Sequence, residues 1–66
     1  MERTWLKDLR KETGISTYVA AKKVGIAQSH YSSIENGSRR PGPKNAKKIA
    51  ELFGFDWTRF YEEEET

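Results

Sequence analysis

Gln28, Ser29, Ser32 and Ser33 stand together in the segment between Gly25 and Gly37, and their side chains are the ones best suited to chemistry with a partner. The spacing predicts a turn followed by a helix in which Tyr31 and Ile34, three residues apart, take the buried side and leave those four residues facing outward. A solvated helix face ordinarily carries Lys and Glu. Amides and hydroxyls, which both donate and accept, instead suit the edges of DNA bases. Gln can bond an adenine through both groups of its amide, whereas Ser discriminates less among bases.

Cations accompany this face. Residues 1 to 61 contain all 12 Lys and Arg against 6 acids, a body charge of +6, while Glu62 to Glu65 supply the remaining 4 acids. From Asn36 to Ala50 there are Arg39, Arg40, Lys44, Lys47 and Lys48 and no acid. One side of the molecule should therefore carry a positive potential, with phosphate as the obvious partner and a merely solubilising surface as the alternative.

Other chemistries lack their parts. Without cysteine there is neither a disulfide framework nor a thiolate zinc site, and a single histidine has no carboxylate cluster with which to hold a metal. No nucleophile sits beside a base, and there is no phosphate-binding glycine loop, so an enzyme is not expected and no cofactor is called for. Met1-Glu2-Arg3 opens no hydrophobic run, so neither a signal peptide nor a membrane span is expected, and the protein should be cytoplasmic.

The elements that must position these groups are short. Sixty-six residues make one small core and leave roughly 40% of the unfolded-chain surface exposed. Thr4 is suited to cap a first helix with Trp5, Leu6 and Leu9 on one face, ending near Gly14. Ser16 can cap a second, Thr17 to Val24, with Ala20, Ala21 and Val24 inward, and Gly25 then allows the tight corner into the Gln28 helix. Asn36-Gly37 reads as the end of that helix rather than a hairpin turn, because neither flank alternates apolar with polar residues. Ser38-Arg39-Arg40-Pro41-Gly42-Pro43 makes an extended connection. Ala46, Ile49, Ala50 and Phe53 then keep the helical period up to Gly54, and Asp56 can cap a last short helix with Trp57, Phe60 and Tyr61. Trp5, Tyr31, Phe53, Phe55 and Trp57 are core candidates first.

The order of these features resembles the Cro/repressor-type, or XRE-like, helix-turn-helix family over residues 5 to 61. The resemblance rests on Leu9-Arg10, Ile15-Ser16, Ala21 with Gly25 at a close helix-helix contact, Ile34-Glu35-Asn36-Gly37, the Arg-Arg-Pro loop, and Ile49-Ala50-Glu51-Leu52-Phe53. It implies an all-α, compact five-helix, lambda-repressor-like DNA-binding domain over residues 1 to 61, followed by an acidic tail, 62 to 66. It also implies a phage or bacterial transcriptional regulator that sets helix three in the major groove and binds as a homodimer on near-palindromic double-stranded DNA.

Carried over by position, Gln28, Ser29 and Ser33 are the expected base-contacting residues, Ser33 through a water because its arm is short. Ser16, Thr17, Asn36, Arg39, Arg40 and Lys44 are the expected phosphate contacts. Ser16 and Thr17 sit at a helix N-terminus, where free NH groups favour an anion, and Lys44 sits in a first turn, where a cation opposes the helix dipole. One of the two arginines could instead enter a narrow minor groove. The resemblance also makes Arg10 and Glu35 a partly buried structural ion pair.

Four positions depart from the family pattern. Ala20 replaces a usual Leu and Tyr31 a usual Ile or Val, which reads as a compensating exchange of volume. Ala27 stands where Ser or Thr commonly caps the recognition helix, and Thr17 where a Gln often buttresses the first base-reading residue. His30 could touch phosphate, solvent or a dimer neighbour. Without a separate oligomerisation domain, Trp57, Phe60 and Tyr61 are the candidates for a dimer surface. The competing class is a protein-interaction module on the same fold, such as an antitoxin or an adaptor docking through Glu62 to Glu65.

Overall fold

The computed structural model describes residues 2 to 62, which form five helices and no strand. In chain order they are α1 (Thr4–Thr13), α2 (Thr17–Val24), α3 (Gln28–Asn36), α4 (Pro43–Phe53) and α5 (Arg59–Glu62). Of the acidic tail only Glu62 falls in this range, so a role for residues 63 to 66 lies outside the described residues.

Local signals account for most of the boundaries. The Ser16 hydroxyl accepts the Val19 NH at 3.2 Å and caps α2 as its position predicts. Pro43 opens α4 in the first turn, where its missing NH costs nothing. Gly25 takes φ +88, a left-handed conformation, between α2 and α3. A Cβ built there would meet nothing within 4 Å, so the backbone angle and not a close helix-helix approach explains this glycine, contrary to the contact expected of it.

Two boundaries differ from the sequence reading. Thr4 is the first helical residue and Arg3 the N-cap, with no side-chain cap bond; the Leu6 and Lys7 NH groups bond the Arg3 carbonyl. The Arg3 NH is itself taken by the Glu35 carbonyl at 2.7 Å, so a contact with the end of α3 sets where α1 begins. Asp56 accepts both the NH and the hydroxyl of Thr58, which organises a turn before α5 and leaves Trp57 in that turn. The same two bonds hold the Asp56 carboxyl below its ordinary range.

α2 and α3 pack most closely against each other, and α1 and α4 cover them. Leu6, Ala20, Ala21, Val24, Tyr31, Ile34, Ala46, Ile49 and Phe60 form one buried core. Ala20 and Tyr31 are both fully enclosed, as an exchange of volume between α2 and α3 requires. Leu9 is half-buried and lies outside that core. The reason is positional: Arg10, one turn on from Leu6, takes the inward place on α1 and reaches Glu35 on α3. Trp5 packs at the margin, edge-on to Phe55 with ring centres 5.1 Å apart, and the Arg59 guanidinium covers it.

Two stability predictions follow from this packing. Ala27 is the N-cap of α3 and supplies no side-chain bond. Ala27→Ser should therefore stabilise the fold by about 0.5 to 2 kcal/mol, seen as a higher thermal midpoint. An unchanged midpoint would mean that another group already satisfies that NH. The Tyr31 hydroxyl is buried without a hydrogen-bond partner among the described residues. Burial first, and then the Glu35 carboxylate beside it, push the phenol's pKa up, so it stays protonated. Tyr31→Phe keeps the ring and removes the unpaired oxygen, and should raise stability by about 1 kcal/mol. A clear loss in a denaturant melt would show that the hydroxyl has a partner in solution.

Candidate nucleic-acid interface

The N-terminal turn of α3 presents Gln28 and Ser29 to solvent, because Tyr31 and Ile34 on the opposite side are fully enclosed and fix the rotation of the helix. The Gln28 amide does not hang free. Its Nε2 donates to the Thr17 hydroxyl oxygen at 3.0 Å, so the first residue of α2 steadies the first residue of α3. Thr17 thus buttresses Gln28 although it is a shorter residue than the Gln the pattern leads one to expect. The second amide hydrogen and the carbonyl oxygen of Gln28 stay available for a base, and the Thr17 hydroxyl keeps its proton for another acceptor.

Further along the same helix the groups sink inward. Ser33 and His30 are half-buried, and Asn36 is exposed at the last turn. The Ser33 carbonyl accepts the NH groups of Ser38 and Arg39 and the Ser38 hydroxyl, so the chain after α3 folds back onto the helix end. That return carries Arg39 and Arg40, both exposed, to the side of α3. Gly37, at φ +85, makes the reversal possible.

Lys44 is exposed in the first turn of α4, a helix with no acidic residue in that turn and no side-chain cap. Ser16 remains exposed while it caps α2. The outward groups of the α2 and α3 starts, the α3 end, the following loop and the start of α4 are therefore amides, hydroxyls and cations. Acids are absent from all four first turns, α1 to α4.

The support beneath this surface is ionic. Arg10 Nε donates to Glu35 Oε2 at 2.7 Å and Arg10 Nη2 to the other carboxylate oxygen at 3.4 Å, with the Glu35 side chain only 3% exposed. Arg10 Nη1 also bonds the Ile15 carbonyl, so one guanidinium joins α1, the turn before α2, and α3. These bonds tie Glu35, at the end of α3, to α1.

The roles of two residues escaped the sequence reading. Arg3 is 5% exposed, with its guanidinium bonded to the Ile34 and Arg39 carbonyls. Tyr61 bonds the Pro41 carbonyl through its hydroxyl. Neither carried a local signal, because the partners lie 31, 36 and 20 residues away. The expected dimer surface also changes: Phe60 is fully enclosed in the core, and Trp57 and Tyr61 pack edge-on to one another and are half-buried. No helix among the described residues is long and apolar enough to cross a membrane.

Comparison with known proteins gives the same reading of the fold. A family model described as helix-turn-helix matches residues 6–60. The chain is 46% identical over 63 residues to an uncharacterized HTH-type transcriptional regulator, YqaF, of Bacillus subtilis strain 168, covering 96% of this chain and 83% of that protein. It is 37% identical over 51 residues to the ImmF control region 10 kDa protein of Bacillus phage phi105, covering 77% of this chain and 57% of that protein. No solved structure matches it significantly.

Proposed function

The chain belongs to the XRE-type helix-turn-helix family, a family of non-enzymatic DNA-binding regulators, and from that premise we propose that it is a sequence-specific regulator of transcription, repressor or Cro-like. In this reading α3 enters the major groove of duplex DNA, with Gln28 and Ser29 on base edges and Ser33 on a base through water. Ser16, Thr17, Asn36, Arg39, Arg40 and Lys44 hold the flanking phosphates. The observation that carries the reading is the exposed Gln28 amide, steadied by Thr17 at 3.0 Å, at the tip of a helix whose other side is locked in the core. A preorganised amide loses little freedom when it meets a base.

The phage relative is named for a control region, which supports a regulatory role. A short domain of this kind reads an operator as a homodimer, one half-site for each copy. In this reading the protein acts by binding DNA, without catalysis or a cofactor.

Selection of bound duplexes from a random pool tests the proposal. It should return a near-palindrome with half-sites about one helical turn apart, roughly 34 Å, and the affinity should fall linearly in log–log form as salt rises. Failure to enrich any duplex, together with tight binding only to a purified protein partner, would make the chain an interaction module instead.

A further inference from the structure

The loop that carries Arg39 and Arg40 is gripped from both ends of the chain. From the N-terminal side, Arg3 is almost fully buried and donates through its guanidinium to the Ile34 carbonyl at the α3 end and to the Arg39 carbonyl at 3.1 Å. The same guanidinium lies over the Phe60 ring, 5.5 Å from its centre. From the C-terminal side, the Tyr61 hydroxyl donates to the Pro41 carbonyl at 3.1 Å, and the Tyr61 ring lies 5.6 Å beneath the Arg40 guanidinium. Pro41 itself is fully buried. The backbone is therefore anchored at Arg39 and again at Pro41, with Arg40 between the anchors.

Neither grip is needed merely to close the core. A buried guanidinium is expensive to desolvate, and an apolar residue at position 3 would fill the same space at lower cost. What Arg3 provides that an apolar residue cannot is two directed bonds, both from Nη1, to carbonyls five residues apart in sequence. The Tyr61 hydroxyl is a similar case, since Phe would pack against Trp57 equally well.

We infer that Arg3 and Tyr61 are positioning residues for phosphate contact: together they clasp the Arg39–Arg40 loop so that its guanidinium groups are set before DNA arrives. This rests on the reading that Arg39 meets the DNA backbone. The clasp removes in the folded protein the backbone freedom that a loose loop would lose on binding, and so strengthens a contact that neither Arg3 nor Tyr61 makes. It also ties both ends of the domain to its DNA-facing side.

Binding of a scrambled duplex across a salt series, with the selected operator alongside, tests the clasp. Tyr61→Phe deletes only the hydroxyl, and Arg3→Lys keeps the charge but is one bond shorter, so its ammonium falls short of the place from which Nη1 bonds both carbonyls. Each should bind both duplexes about two- to tenfold more weakly, as expected when one or two anchoring hydrogen bonds are lost, and each should flatten the log–log salt slope by up to about 0.9, one phosphate. Base preference on the operator should not change, and circular dichroism should show both variants folded at the assay temperature.

In an Arg39→Ala, Arg40→Ala background the same substitutions should cost nothing further, because no contact remains for them to position. Wild-type affinity and slope in Tyr61→Phe and Arg3→Lys would overturn the inference, as would losses that add to those of the double alanine variant. If the wild-type protein binds DNA but the double alanine variant binds equally well, the clasp has nothing to set and the inference fails alone. If the wild type binds no duplex, the proposed function fails and this inference with it.

Discussion

Replacing Arg10 with alanine should destabilise the fold by about 3 to 5 kcal/mol, the range for removing one partner of a buried ion pair. The structure explains why the upper part of that range applies. The Glu35 side chain is 3% exposed and accepts two bonds from Arg10, so the substitution leaves its carboxylate enclosed without its cation. It also frees the Ile15 carbonyl at the entrance to α2. A domain this small has only about 5 kcal/mol or somewhat more to lose, so much of the variant should be unfolded at growth temperature. Thermal or denaturant melts measure the effect directly. The double variant Arg10→Met, Glu35→Leu should recover part of the loss, because an apolar pair of similar volume leaves no charge stranded. If Arg10→Ala melts within about 1 kcal/mol of wild type, the pair is solvated in solution and contributes no more than a surface ion pair.

Gln28→Ala should leave stability almost unchanged and cost about 1 to 3 kcal/mol of affinity on the selected operator, relaxing preference at one base position. Gln28 is exposed and bonds the Thr17 hydroxyl among the described residues, an oxygen that water can satisfy once the amide is gone. The contrast with Arg39→Ala decides the assignment. Arg39 carries charge, not an amide, and its loss should weaken operator and scrambled duplex alike and reduce the salt slope. Thr17→Val should combine the two effects, with the larger loss on the operator because it releases the Gln28 amide and a smaller loss on the scrambled duplex because it deletes a phosphate-contacting hydroxyl. A full operator preference retained after Gln28→Ala would mean that α3 meets the groove in a different register.

Much of this molecule was legible in its order of residues. The all-helical architecture follows from apolar positions at helical spacing and from glycines at the ends of runs, as at Gly25 and Gly37. Both are short-range effects, decided within one turn by sterics and by the search of free NH and carbonyl groups for partners. The outward face of α3 was legible for the same reason: once Tyr31 and Ile34 are assigned inward, helix geometry leaves Gln28 and Ser29 no other side. The Ser16 cap and the uncapped Ala27 likewise depend on neighbours two or three residues away.

Tertiary structure decided what depends on distant partners. Thr4 had the better capping side chain, yet α1 begins after Arg3 because the Arg3 NH is drawn to Glu35, 32 positions on, a bond no local window contains. Leu9 matched the apolar period, but the inward place one turn from Leu6 went to Arg10, whose carboxylate partner lies across the core. Phe60 reads from the sequence as a candidate for a dimer surface, but Trp5 and Phe55 close around it and enclose it in the core. The support of Gln28 by Thr17 and the clasp of Arg3 and Tyr61 on the loop are of the same kind. Directed bonds between side chains and remote carbonyls leave no periodicity in a sequence, because their energy depends on where folding brings two groups and not on how far apart they stand along the chain.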